Sequence, residues 1–179
     1  SRGLGDVYKR QDICKTRFKI ENPKYRRFRY GMQVNSLGLT ELQPENNVYR
    51  ILIQMLPVVI AKNSRARAVQ LPAWNEALGL PRPWDQQWSL RLQQIMAYET
   101  DLLNFEDIFD GSKAIRKKVQ DLKKSAKNEL KTIDKLGGLK VAIENGYMKK
   151  KLVESQTDRQ KNIEKGVQKV VGVNCYTEG

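Results

Sequence analysis

Arg27–Val34 reads RFRYGMQV and Ala66–Leu71 reads ARAVQL. In the first, Phe28, Tyr30 and Met32 alternate with Arg27, Arg29 and Gln33. Successive side chains of a strand leave on opposite faces, so a period of two predicts a strand. ARAVQL predicts a second, shorter one. Between them the period changes. Pro44 suits a first helical turn. Val48, Ile51, Leu52, Met55, Val59 and Ile60 then keep one helical face apolar to about Lys62. Pro57 is expected to kink this helix.

Working outward, Pro72–Trp84 is rich in Trp and Pro and reads as an ordered loop with one helical turn near Asn75–Leu78. Asp85 is the expected N-cap of a helix to about Thr100, with Trp88, Leu92, Ile95 and Met96 on one face. Asp101–Phe105 is expected to be a third short strand. A long amphipathic helix follows over Lys113–Leu136, with Ile115, Val119, Leu122, Ala126, Leu130 and Ile133 on one stripe. Gly137–Gly138 ends it. Helices over Leu139–Asn145 and Tyr147–Lys165 and a strand over Lys169–Val173 complete the reading. Alternating strands and helices predict a parallel α/β architecture. The three strands before the long helix cannot close a barrel or protect both sheet edges, so the segment is expected to be part of a larger fold.

The chain has 179 residues, 40% of them hydrophobic, which excludes full disorder. It has no histidine, which excludes a Ser-His or Cys-His catalytic unit and any His-ligated metal within it. Cys14 and Cys175 have neither metal-site nor redox-pair spacing. No metal site is expected. No apolar run reaches membrane-spanning length, and no secretory signal opens the chain, so a cytoplasmic location is expected. The opening Ser1–Gln11, SRGLGDVYKRQ, lacks apolar periodicity and reads as a non-native leader.

The net charge of +13 suggests nucleic acid, but its distribution does not. Residues 1–30 hold ten basic and three acidic residues, and residues 113–170 hold seventeen and seven. Residues 31–112 hold six and nine, so the middle is slightly acidic. The lysines of 113–136 fill the solvent side of an amphipathic helix without interleaved aromatics, which single-strand binding would want. Trp74, Trp84 and Trp88 either pack on prolines or wall a cavity. Glu76 follows the second strand, at the edge where parallel α/β folds bind ligands, or is a surface residue on a helical turn. Gln33 is a polar strand residue that needs a ligand or partner if buried, or else faces water.

Longer stretches carry more information. QVNSLGL at Gln33–Leu39, QPENN at Gln43–Asn47, QLPAWNEALGLPRPWDQQWSLRLQQ at Gln70–Gln94 and AYETDLL at Ala97–Leu103 resemble the late barrel strands of adenosylcobalamin-dependent acyl-CoA mutases. GGLKVAIENGYMKKKLVES at Gly137–Ser155 and VVGVN at Val170–Asn174 resemble the segment after the barrel. The likeness leans to the ethylmalonyl-CoA mutase branch.

The resemblance implies the C-terminal part of a TIM (β/α)8 barrel over residues 12–112. A helical connector over 113–179 would lead toward a separate cobalamin domain, whose cobalt-ligating histidine sits in a DxHxxG-type motif. It implies an isomerase that uses an adenosyl radical to rearrange the carbon skeleton of an acyl-CoA, ethylmalonyl-CoA to methylsuccinyl-CoA. The cofactor would be adenosylcobalamin. A homodimer or heterodimer is implied, with neither nucleic acid nor membrane as partner. The segment alone is expected to be inactive.

Residue by residue, Lys24 of Asn22-Pro23-Lys24 would lie near the acyl-CoA, and Gln33 beside the reacting substrate and coenzyme. Ser36 and Gly79 would approach the corrin, and Glu76 would hydrogen-bond the adenosyl ribose. Gly31 stands where methylmalonyl members carry His and leaves room for an ethyl branch. Pro72 replaces an Asn that would contact the adenosyl group. Alternatives are a methylmalonyl-CoA or other acyl-CoA mutase, a non-catalytic mutase-like subunit, and a basic nucleic-acid-binding module.

Overall fold

The computed structural model describes residues 10–178. The expected leader over residues 1–11 lies outside the described residues except for Arg10 and Gln11, which open a helical stretch, α1, described over 10–16. The elements that follow are α2 (Pro23–Arg26), β1 (Gly31–Gln33), α3 (Asn46–Ile60), β2 (Ala68–Gln70), α4 (Pro83–Tyr98), α5 (Lys113–Lys135), α6 (Leu139–Glu144) and α7 (Tyr147–Glu164). The chain divides into two compact units between Lys123 and Lys124, inside α5.

In the first unit β1 and β2 pair in parallel, Gly31 with Ala68, Met32 with Val69 and Gln33 with Gln70. Backbone bonds extend the ladder at both ends. Arg67 N donates to Tyr30 O and Val34 N to Gln70 O, each at 2.9 Å. The predicted alternation holds. Phe28, Tyr30, Met32 and Val34 turn inward while Arg27, Arg29, Gly31 and Gln33 are exposed. Phe28 and Tyr30 stack with centroids 4.8 Å apart. Val34 and Leu71 then meet Ile51 and Met55 of α3 and Met96 of α4 in one buried cluster. Full burial of each such side chain contributes about 1.5–3 kcal/mol. The observed architecture is therefore α/β, rich in helix, with a small parallel sheet covered on one face by helices.

Several elements differ from the sequence expectation. Residues 101–105 form turns, not a third strand. Asn104 N donates to Asp101 O at 2.9 Å, and the Lys62 ammonium donates to the carbonyls of Leu103 and Phe105. Carbonyls held by a lysine are not offered to a ladder. Lys169–Val173 is not a strand either. It belongs to a turn with a single Val171–Cys175 bridge. Gly172, at φ 80°, reverses the chain, and the Asn174 side chain bonds Val170 N, Ile163 O and Gln168 O. Asp85 is not the N-cap of α4 but its third residue. Arg82 is the N-cap, Pro83 takes the first turn, and the Asp85 carboxylate accepts from Arg82 N at 2.9 Å. Likewise α3 begins at Asn46, two residues after Pro44.

In the second unit, α6 and α7 pack on each other and bury Ala142. Gly138, with φ 96° and ψ 178°, caps α6, and Gly146, with φ 77°, caps α7. The Tyr147 hydroxyl donates to Glu129 at 2.8 Å, which pushes its pKa up because the neighbouring carboxylate disfavours a phenolate. No helix among the described residues is long and apolar enough to cross a membrane. No group of three or more His, Cys, Asp or Glu among them is placed to hold a metal.

Candidate functional site

Parallel pairing decides which residues share an edge. Chain direction is the same in β1 and β2, so both strands end at one edge of the sheet and both following loops leave from it. Gln33 ends β1, and Ser36 opens a short 3-10 turn, Ser36–Gly38, in the loop beyond. Asn35 caps that turn by accepting from Leu37 N at 3.0 Å. Gln70 ends β2. Glu76 opens the 3-10 turn Glu76–Leu78, and Gly79 closes it with φ 130° and ψ −156°. Four of the five expected site residues are thus carried to the same sheet edge. Lys24, in α2, precedes β1 in the chain and is not among the residues that follow the strands.

The loop after β2 is held by side chains from both helices. Asn47, on the first turn of α3, is 0% exposed. Its Nδ2 donates to Trp74 O and to Thr40 O, each at 2.9 Å, and its Oδ1 accepts from Thr40 N at 3.0 Å and from Arg50 at 2.7 Å. One amide therefore joins the loop after β1 to the loop after β2. From α4, the Ser89 hydroxyl donates to Pro72 O at 2.6 Å. Asp85, 2% exposed, accepts from the Arg82 guanidinium at 3.0 Å. That bond, and another from the Asn75 side chain, hold the Asp85 carboxyl down at about 2 against the opposing effect of desolvation.

These anchors leave the chemistry-bearing groups open. Glu76 and Gly79 are exposed, and a Cβ built on Gly79 meets nothing within 4 Å. Beside them the Trp74 indole Nε1 and the Asn75 Oδ1 are buried without a hydrogen-bond partner. An open carboxylate and a bare stretch of backbone suit a ligand with hydroxyl groups and a broad face. The tryptophans divide their roles. Trp74 packs near Trp88, centroids 6.4 Å apart, while Trp84 lies under the Arg82 guanidinium at 4.9 Å. Trp88 also walls an apolar cavity of about 500 Å³ with Leu52 and Leu92.

At the opposite edge, where the strands begin, a polar cavity of about 390 Å³ is lined by Arg27, Arg29, Arg65 and Arg67, and among the described residues no carboxylate lines it with them. Arg65 sits at φ 53°, a left-handed turn that sets it just before β2.

Sequence reasoning missed Gln70, Asn47, Ser89 and the true place of Asp85. Asn47 had a signal: it lies four residues before Ile51 and eight before Met55, on the buried stripe of α3, where a polar side chain must be fully hydrogen-bonded. Gln70 had none, because its partner is set by register alone.

Comparison with known proteins adds the lineage of this arrangement. A family model described as methylmalonyl-CoA mutase matches residues 9–179. The ethylmalonyl-CoA mutase of Cereibacter sphaeroides is 65% identical over 168 residues, which is 94% of this chain and 26% of that protein. That of Methylorubrum extorquens is 61% identical over 168 residues, 94% of this chain and 24% of the relative. A methylmalonyl-CoA mutase of Escherichia coli is 31% identical over 159 residues, 89% of this chain and 22% of the relative. The chain spans about a quarter of the length of these curated relatives.

Proposed function

Because the chain belongs to the methylmalonyl-CoA mutase family, we propose that it is a segment of an acyl-CoA mutase that rearranges the carbon skeleton of ethylmalonyl-CoA to methylsuccinyl-CoA. The observation that carries this reading is the 65% identity to an ethylmalonyl-CoA mutase along nearly the whole segment. In this reading residues 12–112 supply two β-α units of a TIM barrel. Residues 113–179 form the connector toward a cobalamin domain. The enzyme works in the cytoplasm, as a dimer.

The two sheet edges suit the two ends of the chemistry. At the edge where the strands begin, Arg27, Arg29, Arg65 and Arg67 offer guanidinium groups to the phosphates of a coenzyme A tail, and Lys24 is a further cation for the same acyl-CoA. At the edge where they end, Gln33 presents a neutral amide to the acyl group. Ser36 and Gly79 leave backbone open to the face of a corrin, and Glu76 presents a carboxylate that can accept from both hydroxyls of a ribose. Adenosylcobalamin, when bound, supplies a carbon radical. The residues around it need to orient the acyl group and exclude water rather than attack. Amides at the ends of both strands fit that need.

The test is a chimera in which residues 12–179 replace the matching segment of the Cereibacter enzyme. It should turn over ethylmalonyl-CoA. Within it, Glu76→Ala should weaken adenosylcobalamin binding about 10- to 150-fold, the loss of one hydrogen bond to a charged group. Hydroxocobalamin, which lacks the adenosyl group and its ribose, should bind as before. Equal loss of both cobalamins, or of neither, removes Glu76 from the site.

A further inference from the structure

The sheet has two unlike faces. One is apolar and covered by α3 and α4. The other carries Gly31, Gln33, Ala68 and Gln70, all exposed. Gly31 and Ala68 are register partners, and so are Gln33 and Gln70. At the strand spacing of about 4.8 Å, partners that leave on the same face stand side by side. The face is therefore an open strip of small residues that ends, toward the C-terminal end of the strands, in two adjacent primary amides. A Cβ built on Gly31 meets Ala68 O at 3.6 Å and Ala68 Cβ at 3.8 Å, ordinary contacts, so the strand backbone does not itself demand glycine. Neither glutamine side chain has a hydrogen-bond partner among the described residues. Two long polar side chains that no packing requires stand together on a face otherwise stripped to glycine and alanine.

We infer that Gln70 is a second substrate-contacting residue, acting with Gln33 on the acyl group of the thioester. This rests on the mutase reading above. Two adjacent amides offer four N–H donors and two carbonyl acceptors, none of which titrates near neutral pH. An acyl-CoA carrying a branch carboxylate presents the thioester carbonyl and the carboxylate, two acceptor groups a few ångströms apart. Side-by-side amides on one rigid ladder hold donors to both without adding a charge. Gln70 lies at the level of Gln33, before the loop begins, whereas Glu76 and Gly79 lie six and nine residues further on. Its contact is accordingly with the substrate, and the cofactor contacts belong to the loop.

The experiment uses the chimeric full-length enzyme with Gln70→Ala and, separately, Gln70→Met, which keeps side-chain length but no donor. Each variant should lose at least tenfold in kcat/KM for ethylmalonyl-CoA, as expected when hydrogen bonds to a carboxylate or reacting carbonyl are removed. Adenosylcobalamin affinity and Tm should stay at the parent values. A fall of less than tenfold in both variants overturns the assignment. So does a comparable loss of cobalamin affinity or a marked drop in Tm, since either would make Gln70 a cofactor or packing residue. An active parent chimera that Gln33→Ala disables but the Gln70 variants do not leaves the mutase reading standing and removes this inference alone. A parent chimera without activity removes both.

Discussion

Asn47→Ala tests how the two loops at the strand ends are held together. The side chain is wholly buried, and all of its hydrogen-bonding capacity is used: two N–H bonds to Thr40 O and Trp74 O, and two lone pairs filled by Thr40 N and Arg50. Alanine removes the bridge and leaves three backbone groups to find new partners. Each buried group left unsatisfied costs about 1–3 kcal/mol. Water entering the vacated space offsets part of this, and Arg50 keeps its bond to the Thr40 hydroxyl at 2.7 Å. The net expectation is a loss of about 3–5 kcal/mol, a large share of the 5–15 kcal/mol typical of a folded domain. Urea unfolding of the 179-residue chain, followed by tryptophan fluorescence, measures it. Ser89→Ala is the reference, because it removes one bond to Pro72 O and should cost about 1 kcal/mol. A loss below about 1 kcal/mol for Asn47→Ala would refute the bridge.

Two further outcomes follow from local geometry. The Asp85 carboxyl, held at about 2, lies below its unfolded value, so its contribution is present in full above the ordinary Asp pKa of about 3.9 and disappears as pH falls toward 2; the stability–pH curve of Asp85→Asn should be flatter than that of the parent across this window, and equal slopes would sink the claim. Gly138 sits at φ 96° and ψ 178°, and a Cβ there would meet nothing within 4 Å; Gly138→Ala should therefore cost about 1–3 kcal/mol from backbone strain alone, and an unchanged urea midpoint would show that the turn relaxes freely.

The elements legible in the sequence are those whose evidence is local. The alternation of Phe28, Tyr30, Met32 and Val34, the apolar face of α3 and the long stripe of α5 each repeat a period over several turns or residues. The observed burial follows the first two, while the α5 stripe is half-buried except at Leu130, which is exposed. The family too was legible, since NEALGLPRPWDQQWS spells a specific loop and helix start in one continuous run. Asp101–Phe105 and Lys169–Val173 were misread because a run of five residues holds too little periodicity to tell a strand from a turn. What decided them was distant or side-chain-made: the Lys62 ammonium in one case and the Asn174 amide in the other.

The candidate site divides in the same way. Gln33 could be placed in the first strand, and Ser36, Glu76 and Gly79 after strands, from the order of the chain. That Gln33 stands beside Gln70, that Asn47 ties Thr40 to Trp74, and that four arginines from the segments before the two strands line one cavity are facts of the tertiary structure alone. Periodicity reports which side of its own element a residue occupies. Register and long-range hydrogen bonds depend on how separate elements meet, and that is settled only when burial of the shared core brings them into contact.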